Sequence, residues 1–432
     1  MGRAWRNWAG LATARPAQVL SPTSTEQVVD AVHAARHSGL HIRMVGTGHS
    51  FTDVAVTDGL MLLPDRLVGL RGIDREAMTA TVLAGTPLHL LNTWLAEARL
   101  SLHNMGDIDR QTVAGAISTG THGSGGRCAS LSAQVAALEL VTADGSVVEV
   151  DARRDAELFQ AARVGLGAFG IITAVTFEVE PAFLLEAKEG PISFTQLVRT
   201  FDALVAEHHH VDVHWFPYSN RAQVKRNDRT LDEPEPLSRV RSYVDDELLA
   251  NRVFGLVQRV GNRVPRAVAP LNRLSARGLT ARTYTDLAHR VFASERKVRF
   301  REMEYAVPAE AGMEALVEAR RVIDRGRWPI GFPVEIRYAP ADEPWLSTAH
   351  GRDTVYLAFH VNARTDHFDY FRSVERVMRD HDGRPHWGKL HNRTARDLSA
   401  LYPRWPDVQA VRDRVDPDRL FTNRYLDRVL GP

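Results

Sequence analysis

The residues best suited to chemistry in this 432-residue chain begin with the run VGTGHSF at 45–51. Gly46 and Gly48 flank Thr47, and His49 and Ser50 follow. Glycine tolerates positive φ and close approach, so such a loop can offer several backbone N–H groups to a phosphate. The histidine adds a nitrogen able to bond covalently to a flavin ring. Alone, the same residues fit an ordinary strand-to-loop turn with a surface histidine equally well. A second polar set lies far downstream. Glu335 and Arg337 are two apart in VEIRY, so on a strand they share a face. A carboxylate beside a permanently charged guanidinium can grip and orient hydroxyl groups; the bland alternative is a structural ion pair. Lys389, within HWGKLH at 386–391, is a cation that can stabilise negative charge developing in a water-poor site, or an ordinary exposed lysine.

Other residues are more ambiguous. His360 follows the apolar run 355–359 and is as readily a core histidine as a substrate contact. Glu302 is a further candidate for touching the reacting group. His210, Asp212 and His214 alternate and carry metal-ligand side chains on one strand face. Three ligands on one strand rarely converge without a fourth from elsewhere, so no metal is assigned, and 208–210 reads as a solvated helix end. Asp107 and Asp109 mimic a carboxylate pair, but their glycine-rich surroundings favour cofactor contact.

The elements that must position these groups follow from local pattern. Ser24 with Gln27 has capping-box spacing, and Val28, Val29, Val32 and Ala35 then fall on one helical face. Gly39 suits the stop, and Leu40, Ile42 and Met44 alternate as a strand that delivers the chain to residues 46–50. A second glycine-rich block, 104–126, is too rich in Gly, Ser and Thr for a regular element and reads as backbone wrapped around a ligand. The competing reading, a long structureless loop, is uncommon in compact domains. Runs at 135–142 and 147–150 flank the turn Asp144-Gly145. Residues 165–181 lead from glycines into an apolar β-branched strand ending at Pro181, where the first domain boundary is placed. Beyond it, 211–216 reads as a strand and 310–325 as a helix, while 226–282, charged and proline-punctuated, reads as a solvated connection.

The chain is too long for one ordinary core, so two domains are expected. A net charge of +1 argues against a dedicated nucleic-acid binder. The single cysteine, Cys128, cannot form an internal disulfide. The N-terminal residues lack an apolar signal-peptide core, and no run of about 18 apolar residues suggests an integral membrane span. The expected location is cytoplasmic, with peripheral membrane association left open.

Taken together, several blocks resemble the aldonolactone oxidoreductases of the vanillyl-alcohol-oxidase-type flavoproteins, with the alditol oxidases as near relatives. They are WRNW (5–8), GTGHSFTDVAVTDG (46–59), GDIDRQTVAGAISTGTHGSG (106–125), HWFPY (214–218), REMEYAVP (301–308), PVEIRY (333–338), HWGKLH and DPDRLFTNRYL (416–426). The resemblance implies an α+β, two-domain PCMH-type FAD-binding fold with a cap substrate domain. Residues 1–181 would bind FAD, 182–400 would form the cap, and 401–432 would pack back on the FAD domain.

It also implies cofactor contacts from Gly46, Thr47, Gly48, His49, Ser50, Gly106, Asp107, Gly115, Thr119, Thr121, His122, Gly123, Gly170 and Ile171, with a covalent histidyl–flavin bond at His49. Catalysis would fall to Glu335, Arg337, Lys389 and His360, and substrate binding to Glu302, Glu335 and Arg337. The implied reaction is oxidation of L-gulono-, L-galactono- or D-arabinono-1,4-lactone at C2 by hydride transfer to flavin N5, giving an ascorbate-type product. Dioxygen or a cytochrome or quinone would reoxidise the cofactor. A small residue such as Gly106 would favour dioxygen, and Asp107, where alditol oxidases align a serine, favours lactones. The alternatives are an alditol oxidase, acting on a sugar alcohol, or a catalytically silent flavin-binding protein. The second is disfavoured because a silent relative has no physical reason to keep a buried charged constellation. The decaprenylphosphoryl-ribose oxidase type is set aside, since HWGKLH and the histidyl site are not expected in it.

Overall fold

The computed structural model describes residues 4–126, 129–237, 264–293 and 298–432. Cys128 and the middle of the charged 226–282 connection lie outside the described residues. Within that connection, 226–230 belong to the strand Arg221–Thr230, and Val268–Arg277 is a helix.

The N-terminal half carries two sheets. A parallel three-stranded sheet has the order Gln18–Leu20, Leu60–Leu62, Ile42–Met44. Helix Thr25–His37 connects its outer strands. Ser24 caps this helix by accepting from the Gln27 amide, and Val28, Ala31, Val32 and Ala35 are buried on its inner face. An antiparallel five-stranded sheet follows, with the order Val147–Asp151, Val135–Val141, Ile171–Glu178, Thr79–Leu83, Leu70–Asp74. Its central strand Ile171–Glu178 is almost entirely buried, as the apolar β-branched run requires. The glycine-rich block at 104–126 is less irregular than its composition implies. It contains the short helix Val113–Ser118, because Thr112 accepts from the Gly115 amide as an N-cap and Val113, Ala114, Ala116 and Ile117 bury apolar surface.

The second half is one antiparallel eight-stranded sheet. Its order is Arg282–Leu287, Leu184–Ser193, Arg221–Thr230, His210–Trp215, Val334–Ala339, Thr354–Asn362, Phe300–Pro308, Arg384–Pro385. Strand alternation divides its residues between two faces. Val213, Met303, Tyr305, Ile336, Leu357 and Phe359 share an apolar core with helices Phe194–Glu207, Gly312–Gly326 and Phe368–Asp380. The intervening positions Asp212, His214, Glu302, Glu304, Glu335, Arg337 and His360 therefore face the other way, toward the N-terminal half. His208 caps the end of helix Phe194–Glu207 and is half-buried, whereas His210 begins one of these strands and is fully buried, so the helix-end reading of 208–210 holds for His208 and not for His210.

The C-terminal helices Trp405–Val415 and Arg424–Leu430 share a core with the five-stranded sheet through Val408, Val411, Leu426 and Val429. Trp345, Leu346, Trp387 and Leu398 enter that same core, so the second half of the chain grips the first at several points. Among the described residues no helix is long and apolar enough to cross a membrane.

Candidate active site

Two connected cavities lie along the junction. The first is lined only by the N-terminal half and includes Gly46–Ser50, Gly115, Thr119, Gly170 and Ile171. Gly48 has φ +73°, a conformation that favours glycine, and a Cβ on Gly46 would sit 2.4 Å from Thr112 Oγ1. The loop is thus pressed against the cap of helix Val113–Ser118. Among the described residues none accepts a hydrogen bond from the amides of Gly46 to Ser50. A concave run of uncommitted amides in a glycine-lined cleft fits a diphosphate. Behind it Arg43 is buried, its guanidinium donating to the carbonyls of Val54, Leu166, Gly167 and Phe421 at 2.6–2.9 Å. Burial first, then the neighbouring Arg412, lowers its pKa to about 10, which still leaves it charged at neutral pH.

The second cavity shares His49, Ser50, Gln111 and Thr119 with the first and adds the eight-stranded sheet as its floor. His49 lies at the junction, its ring stacked on Trp8 at 6.1 Å. Burial and then Lys389 lower its pKa, so the ring is neutral.

On the floor, cross-strand register sets the side-chain pairs. Arg337 and Asp212 are opposed, as are Glu335 and His214. Arg337 reaches Glu335 at 2.6 Å, Asp212 at 2.9 Å and Asp107, from the N-terminal half, at 3.5 Å. Burial works against the guanidinium, but the three carboxylates outweigh it and hold its pKa well above the ordinary value. Glu302 opposes His360, with 3.4 Å between His360 Nε2 and the carboxylate. Ala358 opposes both Glu304 and Glu335, so a small side chain separates the two acids.

HWGKLH closes the chamber from above. It bridges the 300–308 strand, through His386 N–H to Glu304 O and Leu390 N–H to Glu302 O, and the 46–51 loop, through Phe51 N–H to Gly388 O. Lys389 thereby ion-pairs with Glu302 and lies 3.8 Å from Glu304. Burial pushes both carboxyls up. Lys389 and His360 reverse this for Glu302, and His122, His386 and Lys389 reverse it for Glu304, so both are net lowered and ionised.

His122, Glu304 and His386 bring three metal-ligand side chains within 4.8 Å of one another. His122 has the arrangement a ligand needs, with Nδ1 donating to the Gly123 carbonyl at 2.9 Å. His386 does not. Its Nδ1 accepts from the Gly388 amide at 3.0 Å, which leaves the proton on Nε2. Lys389 already faces the same carboxylate, and Glu304 binds His122 Nε2 at 2.7 Å. The trio is a hydrogen-bonded cluster. Burial, before any charged neighbour, lowers the His386 pKa to about 4 and keeps it neutral.

Gly106, Asp107, Thr121, His122, Glu302, Glu335, Arg337, His360 and Lys389 all line this chamber. Gly123 lies behind it, where a Cβ would collide with the Met105 carbonyl at 2.4 Å. A Cβ on Gly106 would point at the His122 carbonyl, 3.1 Å away, so this glycine serves close packing of 104–106 on 121–123. Sequence reasoning missed Glu304, His386 and the pairing roles of Asp212 and His214. Glu304 was detectable, since it stands two residues from Glu302 just as Arg337 does from Glu335.

Comparison with known proteins agrees with this geometry. The sequence matches the family model for D-arabinono-1,4-lactone oxidase over residues 175–429 and that for an FAD binding domain over 16–151. It is 41% identical over 432 residues to an L-gulono-1,4-lactone dehydrogenase of Mycobacterium tuberculosis strain H37Rv, covering 100% of both chains. It is 31% identical over 435 residues to the L-gulonolactone oxidase of Mus musculus, covering 99% of this chain and 98% of that one. The crystal structure of cholesterol oxidase from B. sterolicum, 20% identical, matches with a TM-score of 0.84 over 99% of this chain and 96% of that one, which speaks to fold alone. Fold and site therefore define an FAD-dependent oxidoreductase of the vanillyl-alcohol-oxidase type. The chain belongs to the D-arabinono-1,4-lactone oxidase family, the aldonolactone oxidoreductases.

Proposed function

We propose that this protein oxidises an aldono-1,4-lactone at C2 to an ascorbate-type product, L-gulono-, L-galactono- and D-arabinono-1,4-lactone being the candidate substrates. The observation that carries the reading is the chamber, where Glu335, Arg337 and His360 on the floor and Lys389 above them converge beyond the FAD cleft. FAD, when bound, supplies the hydride acceptor. Arg337 and Glu335 grip the sugar's ring and side-chain hydroxyls and fix which C–H is presented. His360 Nδ1 donates to the Pro333 carbonyl at 3.2 Å, which turns Nε2 toward Glu302 and the chamber, and this pair takes the C2 hydroxyl proton. Glu302, ionised beside it, stabilises the imidazolium that forms. Lys389 holds a fixed positive charge that favours negative charge developing nearby. His49, neutral and at the junction of the two cavities, is the nucleophile for a covalent flavin bond.

We assign cofactor binding to residues 1–181 with the tail 401–432, and substrate binding to 182–400. The test is a lactone deuterated at C2. A primary isotope effect on anaerobic cofactor reduction supports oxidation at C2, and its absence there with an effect at another carbon overturns it. Admitting air then reads the acceptor. Fast recolouring assigns dioxygen, and slow recolouring assigns a cytochrome or quinone.

A further inference from the structure

We propose that Asn7 and Trp8 are positioning residues that present His49 to the flavin, and that formation of the covalent bond depends on them. This rests on the histidyl–flavin reading above and deepens it.

A side chain that must act as a nucleophile is ordinarily held in place by a hydrogen bond to a neighbouring group. Among the described residues none hydrogen-bonds to the His49 ring, and its one aromatic contact is Trp8. The two rings lie 6.1 Å apart between centroids and 27° apart in plane, within the offset-stacked range. Packing against Trp8 therefore does the orienting that a hydrogen bond does elsewhere.

The segment that carries Trp8 is fastened on both sides of His49. Trp5–Arg6 pairs with Thr13–Ala14, so the chain between them forms a hairpin. Within it Trp8 N–H donates to the Gly48 carbonyl at 2.8 Å, and Asn7 Nδ2 donates to the Ser50 carbonyl at 2.8 Å. These carbonyls belong to the residues immediately before and after His49. Asn7 Oδ1 accepts from the amides of Leu11 and Ala12 at 2.9 and 3.1 Å, so one buried side chain both closes the hairpin and grips the loop. Phe51 and Phe300 meet Trp8 edge-on, at 6.3 and 5.4 Å, and wedge the indole against His49. The WRNW block thus sets both the backbone and the ring of the nucleophile.

Joining a His49 nitrogen to the 8-methyl carbon of the flavin breaks one C–H bond and one N–H bond. The two protons and two electrons released end on dioxygen as hydrogen peroxide. Such a step depends steeply on placement, and a displacement of about 1 Å costs roughly a hundredfold in rate.

The experiment compares the full-length protein with Trp8→Phe, Trp8→Leu and Asn7→Asp, each purified with its flavin. Total bound flavin and acid-precipitable flavin are measured in each, and their ratio is the covalent share. Trp8→Leu removes the ring. Asn7→Asp removes the donor to Ser50 while keeping the acceptor that closes the hairpin. The expected result is a covalent share near unity in the unmodified protein and in Trp8→Phe. In Trp8→Leu and Asn7→Asp it should fall about tenfold or more while FAD still binds. An unchanged share in either of these two variants overturns the proposal. Bound and covalent flavin falling together also overturns it, since the strap would then serve cofactor binding alone. A wholly acid-soluble flavin in the unmodified protein sinks the covalent reading itself, and this proposal with it.

Discussion

His386 gives a quantitative prediction. Its ring is buried between Glu304, His122 and the Gly388 amide, and its pKa falls from an ordinary value near 6.5 to about 4. A group whose folded pKa is depressed contributes stability that is present above the unfolded value and is lost as pH falls through the folded one. Between pH 7 and pH 4 the unfolded chain takes up a proton that the folded chain refuses. The gap corresponds to about 3 kcal/mol, most of it lost by pH 4.5. His391 and His210, also lowered by burial, add acid sensitivity of their own, so the test is a difference. Urea unfolding of the FAD-bound protein and of His386→Asn, followed by tryptophan fluorescence from pH 7.5 to 4, isolates it. The variant is expected to be less stable at neutral pH and to lose about 2–3 kcal/mol less on acidification. Parallel stability curves would refute both the buried neutral ring and the hydrogen-bond assignment that denies it a metal.

Three further outcomes follow from the same contacts. Arg337→Lys keeps the charge but cannot span Glu335, Asp212 and Asp107, so kcat/KM for the lactone should fall about a hundredfold at unchanged flavin content, read by steady-state assay. Arg43→Met strands four buried carbonyls from three separate segments and should cost about 4 kcal/mol, with loss of bound flavin; differential scanning calorimetry and the flavin-to-protein ratio check it. Acid precipitation should leave the flavin colour in the pellet of the unmodified protein and move it to the supernatant in His49→Ala; a colourless wild-type pellet contradicts the covalent bond.

Much of the positioning framework was legible because it is local. The Ser24 cap, the strand leading into Gly46 and the turn at Gly145 each follow from a few neighbouring residues. The shared face of Glu335 and Arg337 follows from period two alone. What escaped reading was set by distance in the chain. Asp212 acquires its partner only because His210–Trp215 pairs with Val334–Ala339, a register no local pattern encodes. Helix Val113–Ser118 was hidden by a glycine-rich composition that its Thr112 cap and buried apolar face override. His386 carried no signal of its protonation, which comes from burial and from the Gly388 amide.

The most direct measurement is anaerobic bleaching of the flavin's visible band on separate mixing with L-gulono-1,4-lactone, L-galactono-1,4-lactone, D-arabinono-1,4-lactone and xylitol. The account predicts fast bleaching by at least one lactone and none by xylitol. Bleaching by xylitol alone would contradict it and assign the chamber to sugar alcohols, and no bleaching by any of the four would remove the substrate assignment while leaving the FAD fold in place.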